Sequence, residues 1–304
     1  MQNSYDVVVI GAGVAGMTAA LYLKRSGLEP LIIEKSAPGG QINRSALVEN
    51  YPGFTNIDGP TLASNIITQV NKLGIKYKSG TVKEIINNNE YKQIILDNEV
   101  INTKTIVIAT GRQPRELGLP NEKSLTGRGI SWCAICDGYF FKDQEVAVVG
   151  GGDSALEETL FLASICKKVY LIHRRDVFTA SNDLQAKVKL LENVEFILNS
   201  NISGIIEKDN KLNKIIITNN SQQTKELEVS GLFIYIGSVP DTQNFKALNI
   251  LNENGYIVVD KNYETAIKGI YACGDVIDKS LYQLTTAVGD ASTAAFNLKK
   301  SYFS

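Results

Sequence analysis

Two stretches of the chain repeat one pattern of apolar and polar positions. Val7-Val8-Val9-Ile10 is an unbroken apolar run, as expected of a parallel strand covered on both faces. Gly11-Ala12-Gly13 follows, and then a helical spacing of apolar residues from about Val14 to Ser26, ended by Gly27. Leu31-Ile32-Ile33 is the next apolar run, closed by Glu34. Near Glu145 the order returns: a strand at Val146-Ala147-Val148-Val149, a turn at Gly150-Gly151-Gly152, a helix from Ser154 to Ile165, a strand at Val169-Tyr170-Leu171-Ile172. Each copy leads into short alternating segments, about Tyr77 to Val107 and about Val194 to Val229. The first is broken by Asn87-Asn88-Asn89 and Asp97-Asn98, and both predict an antiparallel insertion. Thr105 to Ala109 is a strand that ends in Thr110-Gly111, Leu232 to Ile236 is another that ends at Gly237, and a final helix follows Leu284. A supersecondary unit used twice predicts an α/β fold of two Rossmann-like dinucleotide-binding domains, each with an antiparallel β insertion.

Composition narrows the class. The 304 residues are 44% hydrophobic, enough to bury a core in each of two domains. The net charge is -1 and no block of like charge occurs, so neither a nucleic acid nor a membrane surface is expected as a partner. Val7 to Leu23 carries no charge, yet Met1-Gln2-Asn3-Ser4 lacks the basic residues of a signal peptide, Asp6 is acidic, and three glycines interrupt the run. The expected location is the cytoplasm.

Gly11-Ala12-Gly13-Val14-Ala15-Gly16 is G-x-G-x-x-G between a strand and a helix. Gly11 makes the turn, Gly13 admits a pyrophosphate to the backbone, and Gly16 lets helix and strand pack closely. Alone the motif is weak. Glu34, 23 positions after Gly11, strengthens it, because a carboxylate at the end of the next strand can bind ribose hydroxyls. The second copy, Gly150-Gly151-Gly152-Asp153-Ser154-Ala155, is G-x-G-x-x-A, and the same offset lands on His173, followed by Arg174 and Arg175. A carboxylate there would repel a 2′-phosphate, whereas a basic cluster pairs with one. The first unit reads as a site for FAD or NAD and the second as a site for NADP; a solvated surface turn is the bland reading of the basic cluster.

The chain has four cysteines, too few for a disulfide framework at this length. Cys133 and Cys136 form C-x-x-C, a spacing that lets two sulfurs meet over one helical turn and can lower the pKa of one thiol. Structural zinc needs four ligands, and the single histidine is already placed in the cofactor loop, so no metal is expected. A redox dithiol and two inert buried thiols both remain open. Asp137, beside Cys136, can exchange protons with a thiol or a flavin. Cys166 and Cys273 read as small core residues.

Taken together these segments resemble the bacterial low-molecular-weight thioredoxin reductases. The likeness spans essentially the whole chain. It rests on the first glycine motif, Gly39-Gly40-Gln41, Glu49-Asn50-Tyr51-Pro52-Gly53, Ala109-Thr110-Gly111, Cys133-Ala134-Ile135-Cys136-Asp137-Gly138, Gly150 to Ala155, His173-Arg174-Arg175 and Gly274-Asp275. The C-x-x-C-D-G inside the nucleotide domain is the most specific part. The resemblance implies a split FAD domain, 1-113 and 245-304, and an NADP domain, 114-244, carrying the cysteines. It places Gly40, Gln41, Asn50, Asp275 and Gln283 at flavin-contacting positions. It implies a homodimer whose NADP domain rotates between flavin and partner. The implied reaction takes hydride from NADPH to FAD, then to Cys133-Cys136, then to the disulfide of thioredoxin, with Cys133 attacking the partner and Cys136 facing the flavin. Two positions depart from the family pattern: Thr179 replaces a third arginine of the basic cluster, and Tyr282 replaces an arginine before Gln283. Alternatives on the same scaffold are a flavin-dependent dithiol oxidase and a reductase of a different thioredoxin-like partner; a non-enzymatic flavin-binding sensor is the rival from another class.

Overall fold

A computed structural model describes residues 4–45, 47–88 and 90–304. Met1-Gln2-Asn3, used above to exclude a signal peptide, and Asn89 of the asparagine turn lie outside the described residues. The chain divides into two compact units, Met1–Gln113 with Val239–Ser304, and Pro114–Ser238.

The first unit opens with β1 (Ser4–Ile10), α1 (Val14–Arg25) and β2 (Pro30–Glu34). Then come α2 (Gly59–Lys72), β3 (Lys76–Ser79), β4 (Glu84–Asn88), β5 (Tyr91–Ile95), β6 (Val100–Ile108) and the short β7 (Arg112–Pro114). The sheet runs β3-β2-β1-β6-β5-β4. β1 is parallel to β2 and β6, and β5 is antiparallel to both β4 and β6. The uninterrupted valines of β1 follow from this, because both faces of the strand are covered. Val7 and Val9 join one core with Met17, Ala20 and Leu23 of α1. Val8 and Ile10 join another, on the opposite face, with Ile85, Ile94 and Ile106. Each of the valine, isoleucine, leucine and methionine side chains here contributes about 1.5–3 kcal/mol by full burial.

The second unit holds β8 (Ile130–Ser131), α3 (Ala134–Asp137), β9 (Glu145–Gly150), α4 (Asp153–Ala163), β10 (Lys168–Ile172), α5 (Asn182–Lys189) and β11 (Val194–Ile197). The chain continues through β12 (Ser200–Lys208), β13 (Lys211–Asn219), β14 (Thr224–Glu228) and β15 (Gly231–Tyr235). One sheet runs β11-β10-β9-β15-β8 and a separate one β12-β13-β14. β9 repeats the two-faced burial of β1: Val146 and Val148 pack with Leu156 and Leu162 of α4, and Ala147 and Val149 with Ile215 and Ile217 of β13.

The chain then returns to the first unit through β16 (Ser238–Pro240), which pairs with β7, followed by β17 (Ile270–Ala272) and α6 (Leu284–Tyr302). β17 extends the first sheet in parallel with β6. Ala287, Ala291, Ala294 and Leu298 of α6 share a core with α1.

The α/β architecture with antiparallel insertions is as expected, with one correction made twice. The alternating segments do not begin antiparallel. Lys76–Ser79 pairs parallel with β2, and Val194–Ile197 pairs parallel with β10; the antiparallel strands start only at Glu84 and Ser200. Among the described residues no helix is long and apolar enough to cross a membrane.

Candidate active site

In the first unit, distant parts of the chain converge on the turn between β1 and α1. The Glu34 carboxylate spans its mouth, accepting from Ala12 N at 2.6 Å and Ser36 N at 2.8 Å. An ionised carboxylate has about four acceptor positions, so capacity for ribose hydroxyls is left. Gly39 N donates to the Ala12 carbonyl at 2.8 Å, which lays the Gly39-Gly40 loop against Gly13. Gln41 donates to the Arg112 carbonyl at 2.6 Å, and Asn50 to Gln283 Oε1 at 3.1 Å. Thr110, just after β6, donates to the Asp241 carbonyl at 2.8 Å. A Cβ on Gly274 would lie 2.6 Å from Ala15 Cβ, so Gly274-Asp275 abuts the first turn of α1. Lys279 Nζ lies 3.2 Å from Asp275 and 2.8 Å from Asp290. A small cavity beside the turn is lined by Gly11, Glu34, Thr110, Asp241 and Phe245, among others.

Two glycines in this turn differ in what holds them. A Cβ on Gly16 would lie 1.9 Å from the Gly11 carbonyl oxygen, so packing alone forbids a side chain there. Gly13 has an ordinary φ of -74°, and a Cβ would meet nothing within 4 Å. Neither backbone strain nor packing calls for glycine at 13, and the space over its backbone is open.

The second unit repeats this. Gly150 is tight, its Cβ falling 2.4 Å from the Tyr235 carbonyl oxygen. Gly152, at φ -95°, is open: the nearest atom to a Cβ would be Thr179 Oγ1, at 3.7 Å. Asp153 starts α4 and accepts from Ser181 N at 2.8 Å; Ser154 beside it is exposed. Arg174 and Arg175 are exposed, whereas His173 is buried. The imidazole packs on Gly151, stacks on Phe178 at 5.3 Å between centroids, and has Nε2 3.1 Å from the Val177 carbonyl. Burial lowers its pKa, and the charges of Arg174 and Arg175 push the same way. Thr179 donates its hydroxyl to the Gly151 carbonyl at 3.1 Å, beside its own backbone bond to the same oxygen at 2.8 Å.

Cys133, the N-cap of α3, and Cys136, within that helix, are joined by a disulfide, with Cα atoms 5.3 Å apart. Cys133 is buried and Cys136 exposed. Cys136 N donates to Cys133 Sγ at 3.2 Å, and Ala134 N donates to the Tyr235 hydroxyl at 2.9 Å. Asp137 closes α3, and its carboxylate accepts from Ser131 Oγ at 2.6 Å. Cys166 and Cys273 are buried free thiols; burial raises both, Cys166 to about 11. Neither is therefore suited to thiolate chemistry.

Three groups here escaped sequence reasoning. Ser131 precedes the pair on a two-residue strand, too short for a periodic signal. Tyr235 lies in an apolar run and reads as core. Tyr139 and Phe140, 66% and 77% exposed, follow Asp137 directly; two large aromatics beside a reactive motif are a signal that could have been used.

Comparison with known proteins gives a consistent picture. Residues 5–291 match the family described as pyridine nucleotide-disulphide oxidoreductase. A thioredoxin reductase of Bacillus subtilis is 44% identical over 295 residues, covering 97% of this chain and 93% of that protein. A thioredoxin reductase of Streptomyces coelicolor is 39% identical over 97% of this chain and 93% of its own length. Among solved structures, Lactococcus lactis thioredoxin reductase superposes with a TM-score of 0.91 at 41% identity, covering 97% of this chain and 98% of the other. T. acidophilum thioredoxin reductase superposes with a TM-score of 0.90 at 32% identity over all of both chains.

Proposed function

We propose how this chain works from what it is: it belongs to the pyridine nucleotide-disulphide oxidoreductase family, with thioredoxin reductases as relatives over nearly its whole length. It is an NADPH-dependent thioredoxin-disulfide reductase. The observation that carries the reading is the pair of open glycines, Gly13 and Gly152, together with a disulfide at Cys133–Cys136.

The residues present fit both cofactors. In the first unit Gly11, Gly13, Gly16 and Ala109-Thr110-Gly111 line the dinucleotide path, and Glu34 holds an adenosine ribose. Gly40, Gln41, Asn50, Gly274, Asp275 and Gln283 hold the flavin end of FAD. In the second unit Gly150, Gly152, Asp153 and Ser154 hold the pyrophosphate of NADPH, and Arg174 and Arg175 hold its 2′-phosphate. His173, buried beneath Gly151, supports the turn rather than supplying a third cation. FAD held there would supply the two-electron chemistry that links NADPH to the disulfide.

Cys133–Cys136 receives two electrons, its S–S bond breaks, and Asp137 gives a proton to the released sulfur. One thiolate then attacks the partner's disulfide, and the second sulfur resolves the mixed disulfide. The exposed rings of Tyr139 and Phe140 support docking of thioredoxin beside the pair. Tyr22 and Phe296, 49% and 65% exposed on the packed helices α1 and α6, support a homodimer. A chain that regenerates dithiols from NADPH and keeps two free cysteines belongs in the cytoplasm.

By family resemblance Cys133 meets the partner. The exposure of Cys136 in the oxidised pair favours the reverse. Trapping decides between them: thioredoxin lacking its resolving cysteine is captured by Cys136→Ser under the first assignment and by Cys133→Ser under the second. The reading as a whole is tested on purified protein. It should be yellow, release FAD on heating, and reduce thioredoxin with NADPH; a colourless protein that takes up no FAD would sink it.

A further inference from the structure

The Ser131 hydroxyl is a junction. It donates to Asp137 Oδ2 at 2.6 Å and accepts from Cys133 N at 3.0 Å. The Cys133 carbonyl is also within reach, at 3.3 Å, and accepts from Asp137 N at 3.1 Å. A serine hydroxyl has one proton to give. The contact to Asp137 is a short O–H···O bond and the carbonyl contact is longer than a good one, so the hydroxyl proton points at Asp137 Oδ2. Ser131 is 5% exposed, so water does not replace it freely. It sits on β8, paired with Phe233 of β15, and is therefore fixed by the sheet rather than by the four-residue α3 that carries Asp137.

We propose that Ser131 is a positioning residue for Asp137: its hydroxyl holds Oδ2, so that Oδ1 is the oxygen that carries and delivers the proton when the disulfide is reduced. The inference rests on the reading of Asp137 as the proton donor. When Cys133–Cys136 takes up two electrons, the S–S bond breaks, the Asp137 O–H bond breaks, and an S–H bond forms. One sulfur leaves as a thiolate and the other as a thiol, and Asp137 is left as a carboxylate that solvent reprotonates. The Ser131 bond strengthens as that negative charge develops. Because the same hydroxyl accepts from Cys133 N, the donor oxygen and the backbone of the first cysteine share one anchor.

The test compares Ser131→Ala, Ser131→Thr and Asp137→Asn, and combines Ser131→Ala with Asp137→Asn. Two rates are measured in the intact flavoprotein: electron transfer from reduced flavin to the disulfide, and reduction of the pair by dithiothreitol, read by thiol alkylation and mass spectrometry. Asp137→Asn is expected to slow the first rate roughly 100-fold, the scale of one positioned proton donor. Ser131→Ala is expected to slow it about 10-fold, the scale of one hydrogen bond to a charged group. Ser131→Thr keeps the hydroxyl and is expected to restore most of the rate. Ser131→Val, isosteric with threonine, should behave like alanine and repeats the comparison if the smaller side chain disturbs folding. In the Asp137→Asn background Ser131→Ala should add nothing, and dithiothreitol reduction should follow the same ranking. If Ser131→Ala slows the reaction equally in both backgrounds, Ser131 acts on packing and the proposal is overturned, although Asp137 keeps its role. If Ser131→Ala is silent while Asp137→Asn is slow, the proposal is likewise overturned. A fast Asp137→Asn enzyme would remove Asp137 from the mechanism and the proposal with it.

Discussion

In the first unit the strand after the glycine turn ends in Glu34, whose carboxylate folds back onto Ala12 N. In the second unit the equivalent strand ends in a buried His173 and two exposed arginines, and the turn is fastened instead by Thr179 and Ala180, both bonded to the Gly151 carbonyl. The scaffolds are otherwise alike: a two-faced parallel strand, a first glycine (Gly11 or Gly150) tight against a backbone carbonyl, an open glycine two positions on, and a helix start. In the proposed reading, a common backbone sets where a pyrophosphate lies, and the end of the next strand selects what hangs from it. The second unit adds a further layer, a disulfide on α3 with the Tyr235 hydroxyl bonded inside it, and Tyr235 also supplies the carbonyl against Gly150.

The largest effect should come from breaking the asymmetry in sulfur chemistry. Cys133→Ser or Cys136→Ser should cut thioredoxin reduction by roughly 1,000-fold or more, the scale for losing an essential nucleophile. Flavin reduction by NADPH, followed by stopped-flow absorbance, should stay near normal, because the pair acts after the flavin. Cys166→Ser and Cys273→Ser should leave both rates nearly unchanged. Normal turnover in either pair variant would contradict the relay.

The open glycines sharpen the likeness between units. Gly13→Ala should fold as well as the parent, since nothing lies within 4 Å of its new methyl. It should nevertheless weaken FAD binding by roughly 10- to 100-fold, equivalent to overpacking of about 1–3 kcal/mol. Gly152→Ala should do the same to NADPH and spare FAD. Gly16→Ala should instead lower the melting temperature of the protein itself, because its methyl would meet the Gly11 carbonyl at 1.9 Å. Tight FAD binding by Gly13→Ala, checked by equilibrium dialysis, would mean that the open space is not the pyrophosphate site.

The smallest effect concerns selectivity. Arg174 and Arg175 are exposed and can pair with a 2′-phosphate, and Thr179 stands where the family resemblance implies a third arginine. NADPH should be preferred over NADH. Thr179→Arg should lower the Michaelis constant for NADPH about threefold to tenfold, less than a full charge-assisted bond because the site is exposed. The constant for NADH should hardly move. Loss of the Thr179 hydroxyl bond to Gly151 works against the gain and is measurable as a small drop in thermal stability.

The strands, turns and helices that open both units were legible in the sequence because β1 and β9 are buried on both faces and read as continuous apolar runs. The step from α2 to β3 was not. α2 announces itself with Asp58, whose side chain caps Thr61 N at 2.8 Å, with Pro60 in the first turn and with Leu62, Ala63, Ile66, Ile67 and Val70 at helical spacing. That signal was present but stood between two stronger ones. α5 gave little signal, since Val188 is its one buried residue. β3 and β11 are edge strands that are only partly buried, so their alternation resembles an antiparallel meander although each pairs in parallel. The candidate site residues carried by motif could be named from sequence; Ser131 and Tyr235 could not, because each meets the Cys133–Cys136 segment through a contact that only the folded sheet brings about.

The most direct measurement is an anaerobic titration of the purified flavoprotein with NADPH, following flavin absorbance and alkylating new thiols for mass spectrometry. Flavin bleaching should be accompanied by new labelling at Cys133 and Cys136 alone, and oxidised thioredoxin should then restore the flavin absorbance and erase the labelling. Bleaching without new thiols at that pair, or thiols that thioredoxin cannot reoxidise, would contradict the account.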